Sequence, residues 1–150
     1  MAFLQRHPVE GDFINIGNSV GTGKANTPTD VLLVQALLAV VFNDGGPRFR
    51  KLRPGNRPVV VSSKLEKDTP KFIAIFQREQ LKRPNPQGFC DQAPATTSTQ
   101  LKHNTVFNLF GTAALVQAAR SAEELIPRLE REHPELQNLP RRASELVIGH

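Results

Sequence analysis

The sequence predicts an all-α protein, with a core of three helices, long loops between them, a short β element and a C-terminal helical extension. The main observation is the run from Asn26 to Phe42, which is apolar at nearly every position after its first turn. A helix that is apolar all round is buried, so other elements must surround it. The second observation is that its start, Thr27-Pro28, is repeated as Thr69-Pro70, where another apolar pattern with helical spacing begins.

The first helix has a well-marked start and end. Thr27 stands at the N-cap position, and Pro28 occupies the first helical position, where its missing N–H costs nothing. Asp30 is expected to return a capping hydrogen bond and to face the positive end of the helix dipole. Gly45-Gly46 ends the helix. Its apolar run of roughly a dozen residues is too short to span a bilayer, which needs about 20.

The second helix is predicted to begin at Thr69-Pro70. Its apolar face is formed by Phe72, Ile75 and Phe76, which follow one another at helical spacing. We expect this face to pack on the first helix and to dominate stability, because each fully buried large side chain contributes roughly 1.5–3 kcal/mol.

The remaining elements are predicted from shorter signals. A third helix is expected from about Asn104, with Gly111-Thr112 as a point where it breaks in two. Ser121 to Glu124 forms a capping box for a further helical segment, and Pro127 kinks that segment or marks its true start. The three valines at 59–61 predict a short edge strand. A Pro-, Gln-, Thr- and Ser-rich loop is expected over 83–101, and a partly ordered tail over 134–150.

Composition limits the classes of function. The 150 residues carry a net charge of +5, which indicates an anionic partner or simply a basic, solvated surface. The chain has no Trp or Tyr, so it offers few platforms for stacking sugars or bases. Its one cysteine excludes an intramolecular disulfide and a cysteine-based zinc site. The first residues lack the apolar stretch of a signal peptide, which predicts synthesis in the cytoplasm and, for any export, a specialised secretion machine.

No pattern predicts catalysis, a cofactor or a metal site. The segment from Gly21 to Lys24 lacks the spacing and the following Ser or Thr of a phosphate-binding loop. Cys90 has no neighbouring histidine in sequence, and a lone cysteine after Phe89 is typical of a packed thiol. The four histidines are scattered without i, i+4 spacing. We therefore expect a protein that is not an enzyme.

Three segments together resemble the peptidoglycan-binding-domain-like superfamily, a small three-helix module. Val20 to Gly23, followed by Asn26 to Leu38, is similar to the loop and first helix of that family, with the pattern N-x-P-x-D-V-x-x-V-Q-x-L-L. Thr69 to Gln77 is similar to the second helix, T-x-x-A-I-x-x-F-Q. Thr105 to Leu109 stands where the third helix begins. The family's Gly-containing turn before the second helix is replaced here by Ser62-Ser63-Lys64.

The resemblance implies an organisation and a site. Residues 1–16 form a lead-in segment, residues 17–120 a peptidoglycan-binding-like helical domain with a basic insertion at 45–67, and residues 121–150 a C-terminal extension. The glycan would lie between the loop before the first helix and the second helix. Its candidate contacts are Asn26, Asp30, Gln35, Gln77 and Arg78. For the two glutamines the alternative is that each holds a loop backbone, because buried amides are usually satisfied locally.

The most distinctive functional segment is basic. Residues 45–63 contain no acidic side chain. They hold Arg48, Arg50, Lys51, Arg53 and Arg57. Such a segment is suited to phosphates, to anionic glycan and teichoic polymers, or to an acidic patch on another protein, and it is equally typical of a solvated loop.

Three functional hypotheses follow. The first is a non-catalytic peptidoglycan-binding module, similar to modules associated with contractile or type VI secretion effectors. The second is a structural or adaptor protein of a phage-tail-like or secretion assembly, using the same fold for protein–protein contacts. The third is a small basic nucleic-acid-binding protein. None of the three inserts into a membrane.

Overall fold

The computed structural model describes residues 1–94 and 104–142. The all-α prediction is wrong, because these residues form five α-helices (45% helical) and two antiparallel two-stranded sheets (13% strand). The helices are α1 (Pro28–Asp44), α2 (Pro47–Arg50), α3 (Thr69–Glu79), α4 (Val106–Val116) and α5 (Ile126–Glu132). The strands are β1 (Phe3–His7), β2 (Gly11–Asn15), β3 (Val20–Gly21) and β4 (Phe89–Cys90). Strand β1 pairs with β2, and β3 pairs with β4.

Strand β1 escaped prediction because polar side chains occupy two of its inward positions. Along β1, Phe3, Gln5 and His7 are buried, whereas Leu4 and Arg6 are less buried. An amphipathic strand is normally recognised by apolar residues at alternate positions. Here Gln5 and His7, which are 1% and 7% exposed, replace apolar residues at two of the three inward positions.

The hairpin of β1 and β2 contributes to the core, although it lies in the predicted lead-in segment. The ring of Phe13 is fully buried and meets Phe107 and Phe110 of α4 edge-on, at 5.3 and 6.2 Å between centroids. The buried amide of Asn15 accepts a hydrogen bond from the backbone N of Ala93 (2.9 Å) and donates to the carbonyl of the same residue (3.2 Å). The first strands are therefore tied both to α4 and to the chain that follows β4.

Helix α1 is the buried centre that the sequence predicts. Every residue from Val31 to Phe42 is buried except Ala39. The ring of Phe42 lies 5.1 Å from that of Phe72 in α3 and 5.9 Å from that of Phe49 in α2. This aromatic cluster joins the end of α1 to both of the following helices.

Helix α3 differs from its prediction at one apolar position. Phe72 and Phe76 are buried as expected, but Ile75 is only partly buried and Ile73 takes its place. The buried positions 69, 72, 73, 76 and 77 follow the i, i+3, i+4 pattern of one helix face. The buried face is rotated by part of a turn from the face that the apolar residues define, because the polar residues Thr69 and Gln77 also belong to the buried side.

The three valines at 59–61 do not form the predicted strand. The side-chain amide of Asn43, at the end of α1, donates to the carbonyl of Val59 (3.3 Å) and accepts from its N–H (3.0 Å). A side chain thus satisfies the backbone groups that a neighbouring strand would have paired.

The third helix and the C-terminal extension are more regular than expected. Helix α4 runs without a break through Gly111-Thr112, and the Thr112 hydroxyl donates to the carbonyl of Asn108 (3.0 Å). Pro127 lies in the first turn of α5, so it marks a helix start. The predicted loop over 83–101 and the predicted tail extend, at 95–103 and 143–150, outside the described residues.

The described part of the tail runs back along the hairpin. Leu4 of β1 donates its N–H to the carbonyl of Pro140 (2.8 Å) and accepts from the N–H of Arg142 (2.9 Å). The guanidinium of Arg141 donates to both carboxylate oxygens of Asp12, at 2.9 and 2.6 Å. These hydrogen bonds lower the pKa of Asp12, so the contact persists until the pH falls below the usual range of an aspartate. Within the described ranges, no helix has the length and apolarity required to cross a membrane.

Candidate functional site

Three of the five predicted glycan contacts are buried and hydrogen-bonded within the chain. The carboxylate of Asp30, which is fully buried, accepts hydrogen bonds from the backbone N–H groups of Gly17 (3.1 Å) and Asn18 (3.0 Å). It therefore fixes the loop that leads into α1. Gln35 and Gln77 are also fully buried, on α1 and α3.

Gln35 holds the loop that precedes α3. Its Oε1 accepts from the N–H groups of Ser62 (2.8 Å) and Ser63 (3.1 Å). Its Nε2 donates to the carbonyl of Lys64 (2.6 Å) and to the hydroxyl of Thr69 (3.2 Å). The side chain thus closes a small ring with three consecutive loop residues and the first residue of α3.

Gln77 repeats this arrangement with the next loop. Its Oε1 accepts from the N–H groups of Gln87 (2.9 Å) and Gly88 (2.9 Å), and its Nε2 donates to the carbonyl of Phe89 (3.2 Å). In both loops the middle residue has a positive φ, +67° at Ser63 and +77° at Gly88. The interpretation that each glutamine holds a loop backbone is confirmed. We call these two arrangements the glutamine clamps.

The first clamp holds a serine in a backbone conformation that favours glycine. Ser63 adopts the left-handed conformation that a glycine would take, at a cost of about 1–2 kcal/mol for a residue with a Cβ. Gln35 holds this strained residue in place, because its Oε1 accepts hydrogen bonds from the N–H groups of Ser62 and Ser63. The matching residue of the second clamp is a glycine, Gly88.

This difference between the clamps leads to a prediction. Ser63→Gly should raise the free energy of unfolding by up to about 1 kcal/mol, because the left-handed backbone is relieved. Gly88→Ala should lower it by about 1–2 kcal/mol, because a Cβ there meets the strain of φ +77° and lies 3.2 Å from the carbonyl of Pro70. Urea denaturation of each variant measures both changes.

Gly23→Ala is the matched control. Gly23 also has a positive φ (+75°), but no heavy atom lies within 4 Å of the position that a Cβ would take. It therefore reports the backbone strain alone. Equal stability of the Gly88→Ala variant and the unsubstituted protein would contradict the clamp geometry.

The other two predicted contacts are closer to the surface. The side chain of half-buried Asn26 accepts from the N–H of Gly21 (2.8 Å) and donates to the carbonyls of Gly21 and Lys24 (both 2.9 Å), which closes the turn before α1. Arg78 is exposed on α3 and forms a surface ion pair with Glu79 (3.1 Å). Of the five residues, Arg78 alone has an exposed side chain, with 53% of its surface accessible.

The basic segment is held rigidly at the end of α1. Gly46, with φ +84°, turns the chain into α2, and the ring of Phe49 is buried edge-on against Phe42. The guanidinium of Arg48 lies over the ring of Phe49, 4.9 Å from its centroid. The side-chain Nε of Arg50 donates to the carbonyl of Asn43 (3.1 Å).

Four of the five predicted cations lack an acidic partner. Within residues 1–94 and 104–142, no carboxylate lies within 4.0 Å of their charged groups. We call these four residues the basic face: Arg48, Arg50, Lys51 and Arg53. Arg57 is separate from it, because its guanidinium makes two hydrogen bonds to Asp68, at 2.8 and 3.0 Å. Those bonds lower the pKa of Asp68 and raise that of Arg57, so both stay charged near neutral pH.

A cleft of about 270 Å³ adjoins this ion pair. Its walls are residues 57–60 and 66–69, and Phe72 also lines it. It carries charges of both signs, and Val60 is 56% exposed at its edge. The cleft thus combines a small apolar surface with paired charges and is open to a polar ligand or a protein side chain.

The described residues offer neither a reactive thiol nor a cluster of metal ligands. Cys90 is 1% exposed, and burial raises the pKa of its thiol far above neutral pH. The nucleophilic thiolate is therefore scarce. Within the described ranges, no three His, Cys, Asp or Glu side chains are grouped so that they could hold a metal ion. The absence of catalysis stays a prediction.

Sequence reasoning missed two side chains that shape the site. Asn43 fixes the backbone of Val59 and so places one wall of the cleft. Its only signal in the sequence is an amide in the last turn of the helix. The second is Asp68, which pairs with Arg57 although eleven residues separate the two in sequence.

Comparison with known proteins gives no relative. No protein-family model matches the chain, and neither a curated protein nor a solved structure matches it.

Proposed function

We propose that this chain is a non-catalytic binding module that attaches to peptidoglycan, or to an anionic polymer of the cell wall, through the basic face. The observation that carries the proposal is a set of four cations on one short segment, without acidic partners in the described residues. Peptidoglycan stems carry free carboxylates, which form charge-assisted hydrogen bonds with arginine and lysine. Export by a contractile or type VI secretion machine is part of this proposal and rests on the resemblance alone.

The buried amides have a positioning role in this proposal. Gln35 and Gln77 already use both polar atoms to hold loops, and Asp30 accepts two backbone N–H groups. Direct contact with a glycan would require them to release those loops, which is costly for buried polar groups. Arg78 is the one predicted contact that we retain as a ligand residue.

A second candidate function is that of an adaptor in a secretion or phage-tail-like assembly. The cleft favours it, because charges of both signs around the exposed Val60 are suited to a protein partner rather than to a polyanion. Nucleic-acid binding ranks third. Phe49, the only aromatic residue in the basic segment, is 8% exposed and so cannot stack with a base.

The proposal predicts that cations of the basic face carry the binding. Arg48→Ala combined with Lys51→Ala should weaken binding to purified peptidoglycan sacculi roughly thirtyfold, since each cation near an anionic surface contributes about 1 kcal/mol. Co-sedimentation over a range of sacculus concentrations at low salt measures the change.

A matched variant separates this effect from net charge. Lys64→Ala combined with Arg131→Ala also removes two exposed cations, but from outside the basic face. It should bind nearly as well as the unsubstituted protein. Equal weakening of both variants would assign the binding to net charge, and failure of the unsubstituted protein to sediment would favour the adaptor function.

A further inference from the structure

A groove of about 220 Å³ lies between α4 and the chain segment that follows it. Gly111, Ala114 and Ala122 line it. Outside the backbone of its own helix, no heavy atom lies within 4 Å of the position that a Cβ would take at Gly111. The groove therefore contains an open notch large enough to admit part of an apolar side chain.

A large apolar side chain stands beside this notch. Leu115 is 74% exposed, the largest exposed fraction among the large hydrophobic residues described. It lies four residues after Gly111 and thus on the same face of α4, one turn further along. One face of α4 therefore carries both the exposed Leu115 side chain and, at Gly111, an open space that can receive a side chain of that kind.

This arrangement is complementary to itself. When two copies of α4 meet in antiparallel orientation about a two-fold axis, Leu115 of each copy lies over Gly111 of the other. Isologous contacts of this kind, in which residue i meets residue j and j meets i, are those of two-fold dimers. A partner without the same spacing would fill the notch but would leave Leu115 exposed.

The charges at the two ends of the groove fit the same orientation. The N–H of Glu10 donates to His7 Nδ1 (3.0 Å), and the His7 ring stacks on Phe107, so Glu10 lies near the beginning of α4. Arg120 follows the end of α4, and both residues line the groove. In the described part of the chain neither belongs to an ion pair. Antiparallel pairing brings each Glu10 towards the Arg120 of the other copy.

We propose that the α4 groove is the interface of a homodimer. Leu115 of each copy enters the notch at Gly111 of the other, and Glu10–Arg120 ion pairs form at the two ends of the groove. The groove is small, so the dimer is weak and depends on concentration, as is usual for interfaces below the standard size. The proposal does not depend on the binding function of the basic face.

Sedimentation velocity from micromolar to submillimolar concentration tests this proposal. The unsubstituted protein should shift from monomer to dimer, and Leu115→Glu should remain monomeric with unchanged thermal unfolding at low concentration. Val60→Glu, which changes another exposed hydrophobic residue, should dimerise normally. A monomer at all concentrations, or a Leu115→Glu variant that dimerises as before, would overturn the proposal.

A charge exchange tests the orientation. Glu10→Arg and Arg120→Glu should each weaken the dimer about tenfold, which corresponds to about 1.4 kcal/mol summed over the two like-charge contacts of the dimer. The double variant should recover most of the original affinity, because the pairs are restored with reversed sign. Additive weakening in the double variant would exclude the antiparallel arrangement.

Discussion

Replacing Gln77 by leucine should lower the free energy of unfolding by about 2–4 kcal/mol. Leucine has a similar size, but it leaves the N–H groups of Gln87 and Gly88 and the carbonyl of Phe89 without their partner. Each buried polar group that loses its hydrogen bond costs about 1–3 kcal/mol, and the more exposed of these groups recover part of that from water. Urea denaturation measures the loss, and hydrogen exchange at the Gly88 amide shows whether the loop has been released.

Gln87→Ala is the matched control. Gln87 lies in the same loop and its side chain is exposed. The substitution retains the backbone N–H of residue 87, which donates a hydrogen bond to Gln77. The expected change is within about 0.5 kcal/mol, as for most surface substitutions. If both variants lose the same stability, the hydrogen bonds of the clamp do not stabilise the fold.

Phe42→Ala should lower the free energy of unfolding by about 3–5 kcal/mol, the usual cost of deleting a buried phenylalanine ring. Phe42 is fully buried and meets the rings of Phe49 and Phe72. Its loss opens a cavity and removes the surface on which Phe49 anchors the basic segment. Chemical denaturation measures the global effect, and hydrogen exchange over 47–57 should rise more than in the hairpin.

Val9→Ala provides the comparison for an exposed position. Val9 is 72% exposed, so its truncation should leave stability almost unchanged. A Phe42→Ala variant that retains normal protection over 47–57 would show that the basic segment does not depend on the aromatic cluster.

The sequence predicted the centre of this fold well and its edges poorly. The buried character of α1 follows from its unbroken apolar run, and the loop-holding role of Gln35 and Gln77 follows from placing an amide in an apolar helix. Strand β1 could not be recognised, because Gln5 and His7 occupy inward positions where a strand pattern requires apolar residues.

The candidate site shows the same division. The cations of the basic segment were evident from composition, because 45–63 contains no acidic residue. Which of them are neutralised was not evident, since Asp68 reaches Arg57 through folding rather than through proximity in sequence. Likewise, the pairing of Val59 with Asn43 depends on a side chain sixteen residues earlier, which local strand propensity does not include.

The measurement that tests the central claim most directly is the salt dependence of binding to purified peptidoglycan sacculi. We expect retention at low salt that falls steeply as salt rises, because the exposed cations Arg48, Arg50 and Lys51 are screened beyond about 10 Å at 0.1 M ionic strength. The Arg48→Ala, Lys51→Ala variant should bind more weakly and show a shallower salt dependence. No retention at low salt, or retention that neither salt nor this double substitution changes, would contradict attachment through the basic face.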